Sequence, residues 1–115
     1  MRKEQEIQTE ILKFLNAFPR CRAVKFNSMS QYSRRGEPDI IGSMLGNFLA
    51  IEVKKGTEEP TKLQSKKLAL WKHAFAFTYS VNEATLAAFK IEFEKDYEMM
   101  KKDINRPRNI DSRLL

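Results

Sequence analysis

Asp39 and, after twelve intervening residues, Glu52-Val53-Lys54 supply two carboxylates and an amine at a spacing suited to metal-assisted hydrolysis of a phosphodiester. That reaction needs an activated water and a centre that draws off the charge building on phosphorus and on the leaving oxygen, and a divalent cation can do both. Hard oxygen donors recruit such a cation; one or two carboxylates, a carbonyl and several waters suit Mg2+. Asp39, Glu52 and the backbone carbonyl of Val53 are the candidate metal ligands. Lys54 is the candidate to orient or deprotonate the attacking water, or to pair with the scissile phosphate. An aspartate at a strand start and an alternating Glu-Val-Lys at a strand end also occur on solvated surfaces. The apolar flanks favour the chemical reading, because a carboxylate at the edge of a buried strand needs a partner.

The elements that must position these residues are legible as apolar runs. Phe48-Leu49-Ala50-Ile51 leads into Glu52 and is stopped by Gly56, which reads as a buried strand. Side chains alternate along a strand, so Glu52 and Lys54 point one way and Ile51 and Val53 the other. Asp39 opens a second run, Ile40-Ile41, and Met44-Leu45-Gly46-Asn47 can turn the chain back. The resulting hairpin would set Asp39 next to Glu52. Cys21 to Phe26 is predicted as a first strand, with Ala23 or Val24 inward, paired with the Asp39 strand.

Helices complete the pattern. Residues 3–18 carry Ile7, Ile11, Phe14, Leu15 and Phe18 on one stripe and end at Pro19. Glu4 and Gln8 fall on the Ile7/Ile11 side, where a polar pair could meet an active site at the helix end. A second helix is predicted over about 61–74, with Leu63, Leu68, Leu70 and Trp71; Thr61 and Gln64 match a capping box at its start. A last strand spans 76–80. Ser80 and Glu83 match another capping box before a helix over 82–103, whose Leu86, Phe89, Phe93, Tyr97, Met100 and Ile104 form a stripe suited to the core or to a subunit interface.

With 115 residues and 42% hydrophobic content the chain fits one domain, over 1–105, followed by a basic tail at 106–115. Cys21 has no second cysteine and His73 no second histidine, which excludes an intrachain disulfide and a Cys/His zinc set. No apolar run approaches the roughly 20 residues that span a bilayer, and the start turns acidic at Glu4 and Glu6, so no membrane association and a cytosolic setting are expected. The net charge of +6 favours a polyanionic partner. Arg20, Arg22, Lys25, Arg34 and Arg35 precede Asp39, while Lys54, Lys55, Lys62, Lys66 and Lys67 follow Glu52. Basic residues thus bracket the carboxylates; Arg34, Arg35, Lys55, Lys62 and Lys66 are the candidate DNA contacts. The polar stretch from Asn27 to Glu37 reads either as a DNA-contacting loop or as an ordinary solvent loop.

Gly36-Glu37-Pro38-Asp39-Ile40-Ile41-Gly42, Ile51-Glu52-Val53-Lys54 and the later Gln64 together resemble the VRR-Nuc family of the PD-(D/E)XK nuclease superfamily, over most of residues 4–80. The resemblance implies an α/β fold with a restriction-endonuclease-like core, a mixed four-stranded sheet flanked by helices in the order α-β-β-β-α-β-α. It also implies Mg2+ dependence, with Mn2+ able to substitute, and cleavage of structured or branched DNA. Small standalone members resemble Holliday junction resolvases, which implies a homodimer, with the stripe of the last helix as candidate interface, in a bacterial or phage-infected host cytoplasm. In the same resemblance Glu4 is a helical active-site glutamate, with Glu6 as the alternative. Gln64 would hold a catalytic carboxylate or water, ten residues after Lys54. His73 stands where the family commonly turns with a glycine.

Overall fold

A computed structural model describes residues 2–26 and 36–105, the side chain of Asn105 excepted. The elements run α1 (Glu4–Asn16), β1 (Cys21–Lys25), β2 (Ile40–Met44), β3 (Asn47–Val53), α2 (Lys62–His73), β4 (Phe77–Val81) and α3 (Leu86–Asn105). This is the predicted order. Arg34, Arg35 and the tail at 106–115 lie outside the described residues.

The hairpin forms as its turn residues demand. β2 and β3 are antiparallel, with Ile40 opposite Ile51 and Met44 opposite Asn47. Leu45 and Gly46 join them at φ 51° and 86°, the double left-handed turn whose twist matches that of the flanking strands. β1 pairs along the other edge of β2, with Ala23 opposite Gly42. A Cβ on Gly42 would lie 2.2 Å from the Arg22 carbonyl oxygen, so a glycine lets β1 approach this closely. On the outer edge of β1, the Asn16 side chain accepts from Ala23 N–H at 2.8 Å and donates to the Ala23 carbonyl at 3.0 Å. It covers two edge groups as a further strand would. The β3–α2–β4 crossover returns β4 parallel to β3, completing a mixed sheet in the order β1-β2-β3-β4 among the described residues.

One face of this sheet carries the core. Cys21, Ala23, Ile40, Met44, Leu49, Ile51, Val53, Tyr79 and Val81 pack against Ile7, Ile11 and Leu15 of α1 and against Leu86, Phe89, Phe93 and Tyr97 of α3. Ala23 is therefore the inward residue of β1, and Val24 is 41% exposed. The stripe of α3 is consumed here: Phe93 is fully buried, and rings of Phe14, Phe18 and Tyr79 meet it edge-on. That corrects the expectation of a subunit interface on this stripe, because its side chains already have intramolecular partners. Glu10 ties α1 to α3 through Lys90 at 2.6 Å and also pairs with Arg2, just ahead of α1, at 2.7 Å.

α3 also starts later than position 82. Thr85 N–H donates to Asn82 Oδ1 at 3.0 Å and Asn82 N–H to Thr85 Oγ1 at 2.9 Å, closing a turn ahead of the helix. Ser80 belongs to β4, so the Ser80–Glu83 box does not form.

α2 lies across the opposite face, where Phe48 stacks on Trp71 with ring centres 4.7 Å apart. None of its residues is buried. The helix ends at His73 with paired bonds from Ala76 N–H to the Trp71 carbonyl and from Phe75 N–H to the Lys72 carbonyl, both 3.0 Å. These are the bonds of a Schellman motif, in which glycine usually takes the left-handed position. Phe75 takes it here, at φ 69° and 92% exposed.

Candidate active site

Asp39 precedes β2 and is held by three bonds. Its N–H donates to the Ile51 carbonyl at 3.1 Å, its carbonyl accepts from Phe26 N–H at 2.8 Å, and its Oδ2 accepts from Val53 N–H at 2.9 Å. The pairing of Ile40 with Ile51 places Asp39 beside Glu52 on the neighbouring strand. Cross-strand neighbours share a face, so both carboxylates leave the sheet on the side away from the α1/α3 core. The Val53 N–H points toward Asp39, and in a strand the carbonyl of a residue leaves on the same side as its N–H. The three candidate ligands therefore converge at the end of the β2–β3 hairpin. Lys54 follows directly, its N–H anchored on the Val81 carbonyl at 2.9 Å.

Glu52 is 2% exposed, and its Oε2 is buried without a hydrogen-bond partner. Burial pushes its carboxyl up to about 9, reinforced by the negative charge of Asp39 and by a hydrogen bond between the two side chains, with Lys54 acting in the opposite direction. Glu4, at the first turn of α1, is likewise raised by burial and next by Asp39, while Lys54 lowers it. Glu4, Asp39, Glu52 and Lys54 thus act on one another electrostatically. Glu6 is exposed on the other side of the helix.

A carboxyl this buried, beside a second carboxylate and with one oxygen unsatisfied, is stabilised by a proton or by a cation. The donors suit Mg2+ or Mn2+. Among the described residues no group of three or more His, Cys, Asp or Glu could by itself hold a metal ion. In Mg2+ sites one or two carboxylates suffice, and substrate phosphate and water complete the shell.

The remaining candidates are placed differently. Gln64 forms the capping box: its Oε1 accepts from Thr61 N–H at 2.8 Å, and its own N–H donates to Thr61 Oγ1 at 3.2 Å. The hydrogen bonds of Gln64 thus serve the helix end. Lys55, Lys62 and Lys66 are exposed. Lys67 instead pairs with Glu37 at 3.3 Å. Gln8 is buried beside Ile7 and Ile11, and its Oε1 lacks a hydrogen-bond partner. Sequence reasoning missed Glu37 and Trp71, whose Nε1–H donates to Glu37 Oε2 at 3.0 Å. Residue 37 lies in an aperiodic stretch, and nothing in its type or spacing points to a tryptophan 34 positions later. No helix among the described residues is long and apolar enough to cross a membrane.

The sequence matches no family model and has no significant match among curated proteins. The fold does have a counterpart. A solved structure described as a "VRR_NUC domain protein" superposes with a TM-score of 0.62, covering 84% of this chain and 88% of its own at 18% identity. The chain therefore has the fold of a VRR_NUC domain protein, an α/β mixed sheet of four strands flanked by helices, with Asp39 and Glu52 side by side at the end of its hairpin.

Proposed function

We propose that this chain is a nuclease of the VRR-Nuc family, a divalent-metal-dependent endonuclease that hydrolyses phosphodiester bonds in structured DNA. The observation that carries the reading is the buried Glu52, beside Asp39 and with an unsatisfied Oε2, in a fold that a VRR_NUC domain protein shares. Asp39, Glu52 and the Val53 carbonyl would hold Mg2+ or Mn2+, and Glu4 would add negative charge at the rim. Such a cation supplies Lewis acidity toward the phosphate and lowers the pKa of a water.

The chain's own residues do the rest. Asp39 is fixed by its bond from Val53 N–H, so its second oxygen is presented in one orientation. The Lys54 ammonium, on the face that Glu52 shares, supplies positive charge to the scissile phosphate and orients the attacking water. The exposed Lys55, Lys62 and Lys66 supply contacts to flanking phosphates, which give affinity without reading sequence.

The substrate we favour is a four-way (Holliday) junction. One such domain carries one carboxylate pair, whereas resolving a junction takes two matched incisions, so the reading requires a homodimer. Its interface would lie away from the α3 stripe, which is buried within the protomer. The test is cleavage of a labelled four-way junction, a flap and a linear duplex of matched sequence in Mg2+, Mn2+ or EDTA. Paired, symmetric nicks confined to the junction are expected. Cutting of the flap or of single strands by a monomer would retain the nuclease and remove the junction, and binding without cleavage in every metal would leave a catalytically silent DNA-binding module.

A further inference from the structure

One stripe of α2 faces the segment that leads into the carboxylate pair. Leu63, Lys67 and Trp71 recur at four-residue steps and share one side of the helix. All three face the segment that leads into Pro38-Asp39, or the strand beside it. Gly36 lies so near that a Cβ on it would come 2.6 Å from Leu63 Cγ and 3.4 Å from Lys67 Cγ. Glu37 directs both carboxylate oxygens at the helix: Oε1 stands 3.3 Å from Lys67 Nζ, and Oε2 accepts from Trp71 Nε1–H at 3.0 Å. The Trp71 ring, in turn, stacks on Phe48 of β3.

Because α2 buries no residue of its own, these contacts, together with its packing against β4, set its orientation where a core stripe ordinarily would. Lys62 and Lys66 each precede a residue of the stripe by one position, so they project about 100° around the helix from it. Both are exposed. Any roll of α2 about the stripe would carry the two ammonium groups relative to Asp39 and Glu52.

We infer that Glu37 and Trp71 form a clamp that positions the basic helix α2, so that Lys62 and Lys66 meet the phosphates of DNA lying across the carboxylate pair. The inference rests on the nuclease reading above and names what orients its DNA contacts. Glu37 and Trp71 are positioning residues; neither is placed at the reacting atoms. Loss of the clamp should therefore weaken DNA binding and spare the chemical step.

Trp71→Phe keeps an aromatic ring against Phe48 and removes the N–H donor without changing charge. Glu37→Ala removes the acceptor, and Glu37→Gln returns a neutral acceptor to the indole. Steady-state cleavage of the labelled junction and flap should show KM raised about tenfold in Trp71→Phe and Glu37→Ala, as expected when phosphate contacts are misplaced. In the same variants kcat should stay within about twofold, and Glu37→Gln should restore KM. Trp71 is the single tryptophan of the chain, so its emission reads the clamp directly: it should shift to the red in Glu37→Ala and return in Glu37→Gln. An unchanged KM in Trp71→Phe and Glu37→Ala, or a kcat that falls as KM rises, would overturn the clamp. Failure of the wild-type protein to cut any substrate would overturn the nuclease reading and the clamp with it, whereas cutting with an insensitive KM would remove the clamp alone.

Discussion

On one face of the sheet, α1 and α3 bury Ile7, Ile11, Leu15, Phe89, Phe93 and Tyr97 against the strands; on the other, α2 buries no residue and leaves Leu63 and Leu70 39% and 58% exposed. The first face is a packed aromatic and aliphatic layer whose contacts are numerous and mutually supporting. Among the described residues the second is held by a stack, an indole hydrogen bond, an ion pair and packing against β4, while a capping box closes the start of α2 itself. The packed core and the carboxylate pair are thereby divided between the faces. The α1/α3 face makes the hairpin rigid, and the hairpin presents Asp39 and Glu52 on the α2 face, where burial of a carboxyl is tolerated because the other side secures the strands.

The division predicts a steep gradient of mutational effects. Phe93→Ala, in the fully buried layer, should cost about 3–5 kcal/mol by urea denaturation, as large-to-small aromatic changes do. A loss below about 1 kcal/mol would mean the layer is looser than its burial indicates.

Next in size is the pH dependence of the carboxylate pair. The Glu52 carboxyl is raised from 4.5 to about 9 in the folded protein. Folding therefore retains a proton that the unfolded chain has released. This stabilising contribution is fully present below about pH 4.5 and is lost as pH rises through about 9. In EDTA the melting temperature should fall across that window; Glu52→Gln, or saturating Mn2+ in place of the proton, should flatten the fall. A slope unchanged in Glu52→Gln would assign it to other groups.

Effects on the α2 face should be smaller and of both signs. Thr61→Ala, which removes the cap, should cost about 1 kcal/mol. Phe75→Gly should instead stabilise by about 1 kcal/mol, since the left-handed conformation costs an ordinary side chain about that much. Leu70→Ser, exposed on the same helix, should stay within about 0.5 kcal/mol. Thermal or urea unfolding of the three variants, compared with Phe93→Ala, measures the contrast between faces.

What was legible in the sequence follows the same divide. The element order could be read because α1 and the two central strands, β2 and β3, carry strong apolar runs, and those runs are what the α1/α3 face buries. The convergence of Asp39 and Glu52 was readable too, since the Leu45-Gly46 turn fixes the register that brings them side by side. The α3 stripe was legible as apolar, but its periodicity is the same whether it covers a core or a partner; Phe14, Phe18 and Tyr79 decide the matter, and they are distant in sequence. Gln64 matched two patterns at once, and the hydrogen bonds with Thr61 realise the local one. The start of α3 was misjudged because Asn82 and Thr85 bond to each other, a reciprocal turn that competes with the Ser80–Glu83 cap for the same stretch. The contacts of Glu37 with Lys67 and Trp71 were invisible, for they join an aperiodic segment to a helix across a gap that no spacing rule covers.

The most direct test of the carboxylate pair as a metal-dependent hydrolytic centre is DNA cleavage by the wild-type protein and by Glu52→Gln, side by side, in Mg2+, Mn2+ and EDTA. The account predicts cleavage by the wild type in at least one of the two metals, none in EDTA, and loss of at least about a hundredfold in the variant, whose fold is retained. Equal cleavage by both proteins, or cleavage by the wild type in EDTA, would contradict it.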